Sequence, residues 1–169
     1  MKQTILRGLL PLCYLGIGAS FVLHLLSLVA GETVPTAVVV ALHVGIFAVA
    51  IPTALIVRGL TAEMTRQDHF QLVKRASPLW LRRLATIGFA YFAVVFVVFA
   101  ATHRDPPPAE QFMPAGTLVM FSAGWLVGYA AMAMEIFAGL RAGSTTLRCP
   151  NGHRVSPTAQ FCAECGSRV

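Results

Sequence analysis

The chain has 169 residues, of which 56% are hydrophobic and only 12% charged, with a mean hydropathy of +0.70. Soluble domains run at roughly 45–50% apolar and about 25% charged residues, so a water-soluble globule is excluded and a chain that sits in lipid is indicated. The net charge of +6 would suit nucleic acid, but membrane topology and anionic head groups account for it, and no nucleic-acid partner is expected.

A helix needs roughly 20 apolar residues to cross a hydrocarbon core about 30 Å thick. Four stretches meet that length, at approximately 8–29, 36–57, 84–101 and 115–140. Lys2 and Arg7 ahead of the first stretch imitate a signal peptide. The apolar region of a signal runs only about 7–15 residues, whereas this one continues through His24 to Val29 and reads as a first membrane helix. The connections from 30 to 35, carrying Glu32, and from 102 to 114 lie on the outer side. In the second, Asp105-Pro106-Pro107-Pro108 makes a stiff, non-helical crossing.

The 58–83 loop mixes Leu60, Met64, Leu72 and Val73 with Arg66, Asp68, Lys74 and Arg75. It is expected to be helical in part, lying along the interface or extending the second helix inward. Ser77-Pro78 reads as the start of the next helix, serine capping and proline in the first turn. Trp80 and Leu81 extend the third span, and Trp80, Arg82 and Arg83 anchor it at the interface.

His24 and His43 lie at matching depth on adjacent, antiparallel spans. Ionisable groups inside a membrane are costly, and two histidines at one level could ligate haem b, bind a metal or carry protons. The favoured reading is structural: neutral imidazoles bonded to each other or to Ser27, holding the hairpin together. His103, beyond the third span, could join them in an outer metal site or simply be solvated. Glu135 is the one acidic residue in a span; near the inner end it can reach the interface or pair with Arg141 or Arg58, with a transport role as the alternative. Gly124-x-x-x-Gly128 and Gly16-x-x-x-Ser20 are small patches that let helices approach, within one chain or, for Gly124 and Gly128, between copies in a homo-oligomer. Pro52 should bend the second span, and Cys13 is read as a small apolar filler.

The tail carries the most specific pattern, Cys149-Pro150-Asn151-Gly152-His153 followed by Cys162-Ala163-Glu164-Cys165-Gly166. Three thiols and an imidazole in two close pairs suit Zn²⁺ in a closed tetrahedral site, with Gly152 and Gly166 at the turns and a short hairpin expected between them. Four protein donors leave no open position, so the zinc reads as structural rather than catalytic. A disulfide would leave His153 unexplained.

With Leu42-His43-Val44-Gly45-Ile46-Phe47 and Pro52, the Ser77-to-Arg82 segment, Tyr91 and the Cys149-to-Gly166 tail in place, the chain resembles a group of uncharacterised bacterial inner-membrane proteins of four helices with a C-terminal zinc ribbon. The resemblance covers the last three spans and the tail. It implies an architecture and the four zinc ligands, and transfers no catalytic residue.

The expected fold is an all-α membrane protein of four transmembrane helices in two hairpins (1–144) with a cytoplasmic zinc ribbon (145–169). The expected role is non-enzymatic, the ribbon docking an unidentified cytoplasmic or membrane protein partner; the competing role is membrane redox or metal handling through His24 and His43. Hydrolase chemistry is disfavoured because no nucleophile, base and orienting group occur together. Of the 13 Lys and Arg, all but Arg104 fall at the termini or in the 58–83 loop, which places those segments in the cytoplasm of a bacterial inner membrane. Reporter fusions after Val169 and within the 63–74 segment should therefore report cytoplasm, and an insertion near Pro107 the outside; a periplasmic signal from the C-terminal fusion would reverse the topology.

Overall fold

A computed structural model describes residues 1–29, 35–62, 64–102, 115–143, 149–153, 155 and 159–168. Glu32, the Asp105-to-Pro108 run, His103 and half of the segment expected to form a hairpin between His153 and Cys162 lie outside the described residues. The described part is all α-helical apart from the tail: α1 (Lys2–Val29), α2 (Thr36–Leu60), α3 (Arg66–Ala76), α4 (Leu79–Thr102) and α5 (Ala115–Ala142). Four of these, α1, α2, α4 and α5, are long and apolar enough to cross a membrane.

The helices overrun the apolar stretches. α1 begins at Lys2 rather than near residue 8, and α4 at Leu79 rather than near 84. Hydropathy marks the hydrocarbon layer, but the intrahelical bonds that satisfy the backbone need not stop at its edge, and arginine stems can lie along apolar surface while their heads reach water. α2 runs unbroken through Pro52.

The 58–83 segment contains a separate helix and does not extend α2. The Thr61 backbone N–H and hydroxyl both donate to Val57 O at 2.9 Å, closing α2. Thr65 Oγ1 accepts from the Asp68 N–H at 3.2 Å and starts α3, with the Asp68 carboxylate in the first turn. Leu72 and Val73 then bury against Ala138 of α5, flanked by Met64, Met134 and Ala142. Ser77 does not cap α4 as expected. Its hydroxyl donates back to Val73 O at 2.7 Å and closes α3, so Ser77 is spent on the preceding helix.

α5 is the centre of the bundle: each of the other four helices packs on it. The buried face of α1 reads Leu6, Cys13, Gly16, Ser20, Leu23, His24 and Ser27. Small and polar residues therefore mark the inside, while Leu12, Leu15, Phe21 and Leu25 point outward. This inversion is expected in lipid, where leucine gains little from burial and backbones must approach closely to profit from dispersion. Tyr129 of α5 shows the consequence. Its ring passes so near α1 that a Cβ on Gly16 would lie 2.5 Å from it, and its hydroxyl would lie 2.5 Å from a Cβ on Gly45 of α2. That hydroxyl donates to Leu42 O at 2.9 Å.

The Gly124-x-x-x-Gly128 patch is consumed inside the chain. A Cβ on Gly124 would meet the Phe92 ring of α4 at 3.2 Å, and one on Gly128 would collide with Ile46 of α2. These glycines are therefore not a free surface for a second copy. Gly139 is likewise filled, by Val57 and Leu6.

Gly16→Ala should cost about 1–3 kcal/mol by overpacking against Tyr129. Gly8→Ala, at a helix position with nothing within 4 Å, should be neutral or stabilising by up to about 1 kcal/mol. Reversible unfolding in mild detergent checks both, and equal effects would contradict the packing.

Candidate metal centre and the membrane histidines

Two turns build the tail site. In the first, the Gly152 N–H donates to Cys149 O at 2.8 Å and the Cys149 N–H to His153 O at 3.0 Å. In the second, the Gly166 N–H donates to Cys162 O and the Cys162 N–H to Ser167 O, both at 2.8 Å. Gly152 (φ 82°) and Gly166 (φ 68°) occupy the left-handed region, which glycine enters without steric cost. An antiparallel bridge between Phe161 and Arg168 closes the second turn, and Asn151 Nδ2 donates to Ser167 Oγ at 3.3 Å to tie the turns together.

The turns bring one donor atom each from Cys149, His153, Cys162 and Cys165 within 4.8 Å of one another. With metal–sulfur bonds of about 2.3 Å and metal–nitrogen bonds of about 2.0–2.1 Å, a tetrahedral zinc site has S···S edges near ~3.8 Å and S···N edges near ~3.6 Å. Here Cys149 Sγ lies 3.5 Å from Cys165 Sγ and 3.6 Å from His153 Nδ1, and Cys162 Sγ lies 3.7 Å from that nitrogen. The donor set, and these three of its six edges, fit a tetrahedral ion such as zinc. His153 turns its other nitrogen, Nε2, toward Glu164 at 3.5 Å, the arrangement in which a carboxylate fixes the orientation of a metal-binding imidazole.

Electrostatics prepare Cys165 for a metal, whereas His153 must first give up a proton. Hydrogen bonding to Ser167, with a further contribution from His153, holds the Cys165 thiol down to about 5. The Cys165 and Cys162 sulfurs in turn raise the His153 imidazole above its usual range. Thiolate is the form that a metal takes, so Cys165 is prepared for one.

The membrane histidines do not meet as expected. His24 sits between Ser122 Oγ of α5, 2.9 Å from its Nδ1, and the Tyr91 hydroxyl of α4, 2.9 Å from its Nε2. His43 Nδ1 instead accepts from Trp125 Nε1–H of α5 at 3.3 Å, with Phe47 and Phe121 edge-on around the ring. Ser27 is satisfied by Leu23 O at 2.7 Å. Each histidine therefore ties its own helix to α5 and neither bonds the other. Their matched depth reflects two partners, Ser122 and Trp125, that lie one turn apart on α5. Neither Tyr91 nor Trp125 was foreseen as a partner of a histidine, and no local spacing signals it.

Glu135 also has a different partner. Its carboxylate oxygens lie 3.1 and 3.2 Å from His69 Nε2 of α3, a partner not foreseen from the sequence. The signal that could have found His69 is its spacing: with Leu72, Val73 and Ala76 it forms one helical face, i, i+3, i+4 and i+7.

Comparison with protein-family models, with curated proteins and with solved structures found no match. Fold and site together define a multi-pass membrane protein with a C-terminal Cys₃His cluster able to hold a metal ion.

Replacing His24 by Leu should lower stability in detergent by about 0.6–1.7 kcal/mol, the range measured for hydrogen bonds between membrane helices. Tyr91→Phe in the same background should then cost almost nothing, because its partner is already gone. Additive losses in this double-mutant cycle would show that the pair does not interact.

Proposed function

We propose that this chain is a non-enzymatic integral protein of the bacterial inner membrane whose 145–169 segment is a cytoplasmic ribbon folded by structural zinc, serving to dock a protein partner or steady an assembly. The observation that carries this reading is the Cys149, His153, Cys162 and Cys165 cluster, whose four donor atoms lie within 4.8 Å of one another and, as ligands to one ion, would leave no position for a substrate. So short a segment gains too little from packing to fold alone, and metal binding supplies the missing free energy. A rigid pair of turns with Phe161 exposed on the bridge at 59% of its surface offers a partner an aromatic contact at low entropic cost.

The cytoplasmic assignment rests on charge. The ends that carry the basic residues gather at one end of the bundle, where Lys2 approaches Gly59 and Gln3 packs on Gly143. The resemblance to inner-membrane proteins of four helices with a C-terminal zinc ribbon supports the membrane and the architecture.

The test is elemental analysis of detergent-purified protein, wild type against Cys162→Ser, with limited proteolysis of the tail and comparison of co-purifying proteins. Wild type should carry one zinc per chain and a protease-resistant tail. The variant should lose the metal, the resistance and one specific partner while still requiring detergent for extraction. Equal zinc and equal resistance in both proteins would remove the metal site; loss of zinc with an unchanged set of partners would remove the docking role.

A further inference from the structure

The basic end of the bundle contains a second constellation, apart from the metal cluster, in which the His69–Glu135 contact between α3 and α5 lies beside arginines that the packing does not pair. A cavity of about 430 Å³ opens between α2, α3 and α5, lined by Thr53, Val57, Arg58, Thr61, His69 and Glu135 among others. A neighbouring cavity of about 580 Å³ on the α4 side shares His69 and Glu135 with it and has Arg66 in its wall. The His69–Glu135 pair thus stands at the seam of two cavities, each with an arginine in its lining.

Charge decides what such a site would take. The Glu135 carboxylate is engaged through both oxygens by His69. Arg58 and Arg66 have no side-chain partner among the described residues, and Lys2 approaches Gly59 beside Arg58. The surplus is positive. About five residues deeper along α2, roughly 8 Å of helix, the Thr53 hydroxyl is fully buried and without a hydrogen-bond partner. A buried hydroxyl left unpaired costs free energy and marks a place where a polar group is missing.

The walls distinguish a lipid from a free ion. Ala54, Val57 and Met132 are apolar, and Ala54 is exposed on the outer surface of α2, where the acyl chains would lie. An inorganic phosphate gains nothing from such walls, whereas a phospholipid places its phosphate on the guanidinium and its chains against them. We propose that this cavity binds the head group of an anionic phospholipid, with Arg58 holding the phosphate and the His69–Glu135 pair fixing α3 as the wall of the site. The proposal rests on the reading that these helices cross a bilayer.

The experiment titrates full-length protein in mild detergent with phosphatidylglycerol, with phosphatidylcholine of the same chains, and with inorganic phosphate, following thermal stabilisation and bound lipid phosphorus. Phosphatidylglycerol should bind saturably and the other two should not. Arg58→Gln should weaken it roughly five- to tenfold, Arg58→Lys should retain most of the affinity, and Arg83→Gln, outside the cavity, should match wild type. Equal weakening by Arg83→Gln would reduce the effect to diffuse surface charge and overturn the site. Equal binding of phosphatidylcholine would overturn the charge argument, and Arg58-dependent binding of inorganic phosphate alone would overturn the lipid as source. Extraction is scored separately: protein that leaves the membrane fraction without detergent would refute the membrane reading itself, whatever the titration gives.

Discussion

Every other helix packs on α5, and the closeness of that contact depends on residues without bulk. Gly16 and Gly45 clear the volume that Tyr129 fills, Gly128 admits Ile46, and Gly139 admits Val57 and Leu6. In water such positions would be secondary to the apolar area buried around them. In lipid the hydrophobic term between helices is nearly absent, so van der Waals contact at short range carries the association. The exposed leucines and phenylalanines of α1 and α4 face the bilayer because it costs them nothing to do so.

Polar contacts then fix which helix meets which. Near one end of α5, Ser122, Trp125 and Tyr129 reach His24 on α1, His43 on α2 and the Leu42 carbonyl, and His24 reaches on to Tyr91 of α4. Near the other end, Glu135 receives His69 of α3. Each bond is worth little by itself, but each is directional, and an apolar bundle lacking them could rotate its helices at small cost. His24 and His43, the residues that most invited a cofactor hypothesis, have ring nitrogens engaged in this scheme.

The tail follows a different physical rule. Its pattern is local: two turns with a left-handed glycine each, and four donors at short sequence spacing whose ligand atoms come within 4.8 Å of one another. Such a pattern does not depend on a core, and so the four clustered donors were readable from spacing alone.

The sequence by itself determined the four apolar helices, some helix in the segment between the two hairpins and the four clustered donors, because length, hydropathy and local spacing are properties of neighbouring residues; that this helix is separate from α2 came from the structure. It could not determine the buried faces. The spans are hydrophobic all round, so their periodicity does not distinguish lipid from protein, and the inward stripe of small and polar residues acquires meaning only once a partner helix is placed. For the same reason the partners of His24, His43 and Glu135 came only from tertiary structure. Ser27, the nearer candidate for the histidines, gave way to Ser122 and Trp125, and Glu135 took His69; these partners lie between 66 and 98 positions away. Packing around α5 brings those residues into reach, and nothing in local sequence encodes that geometry.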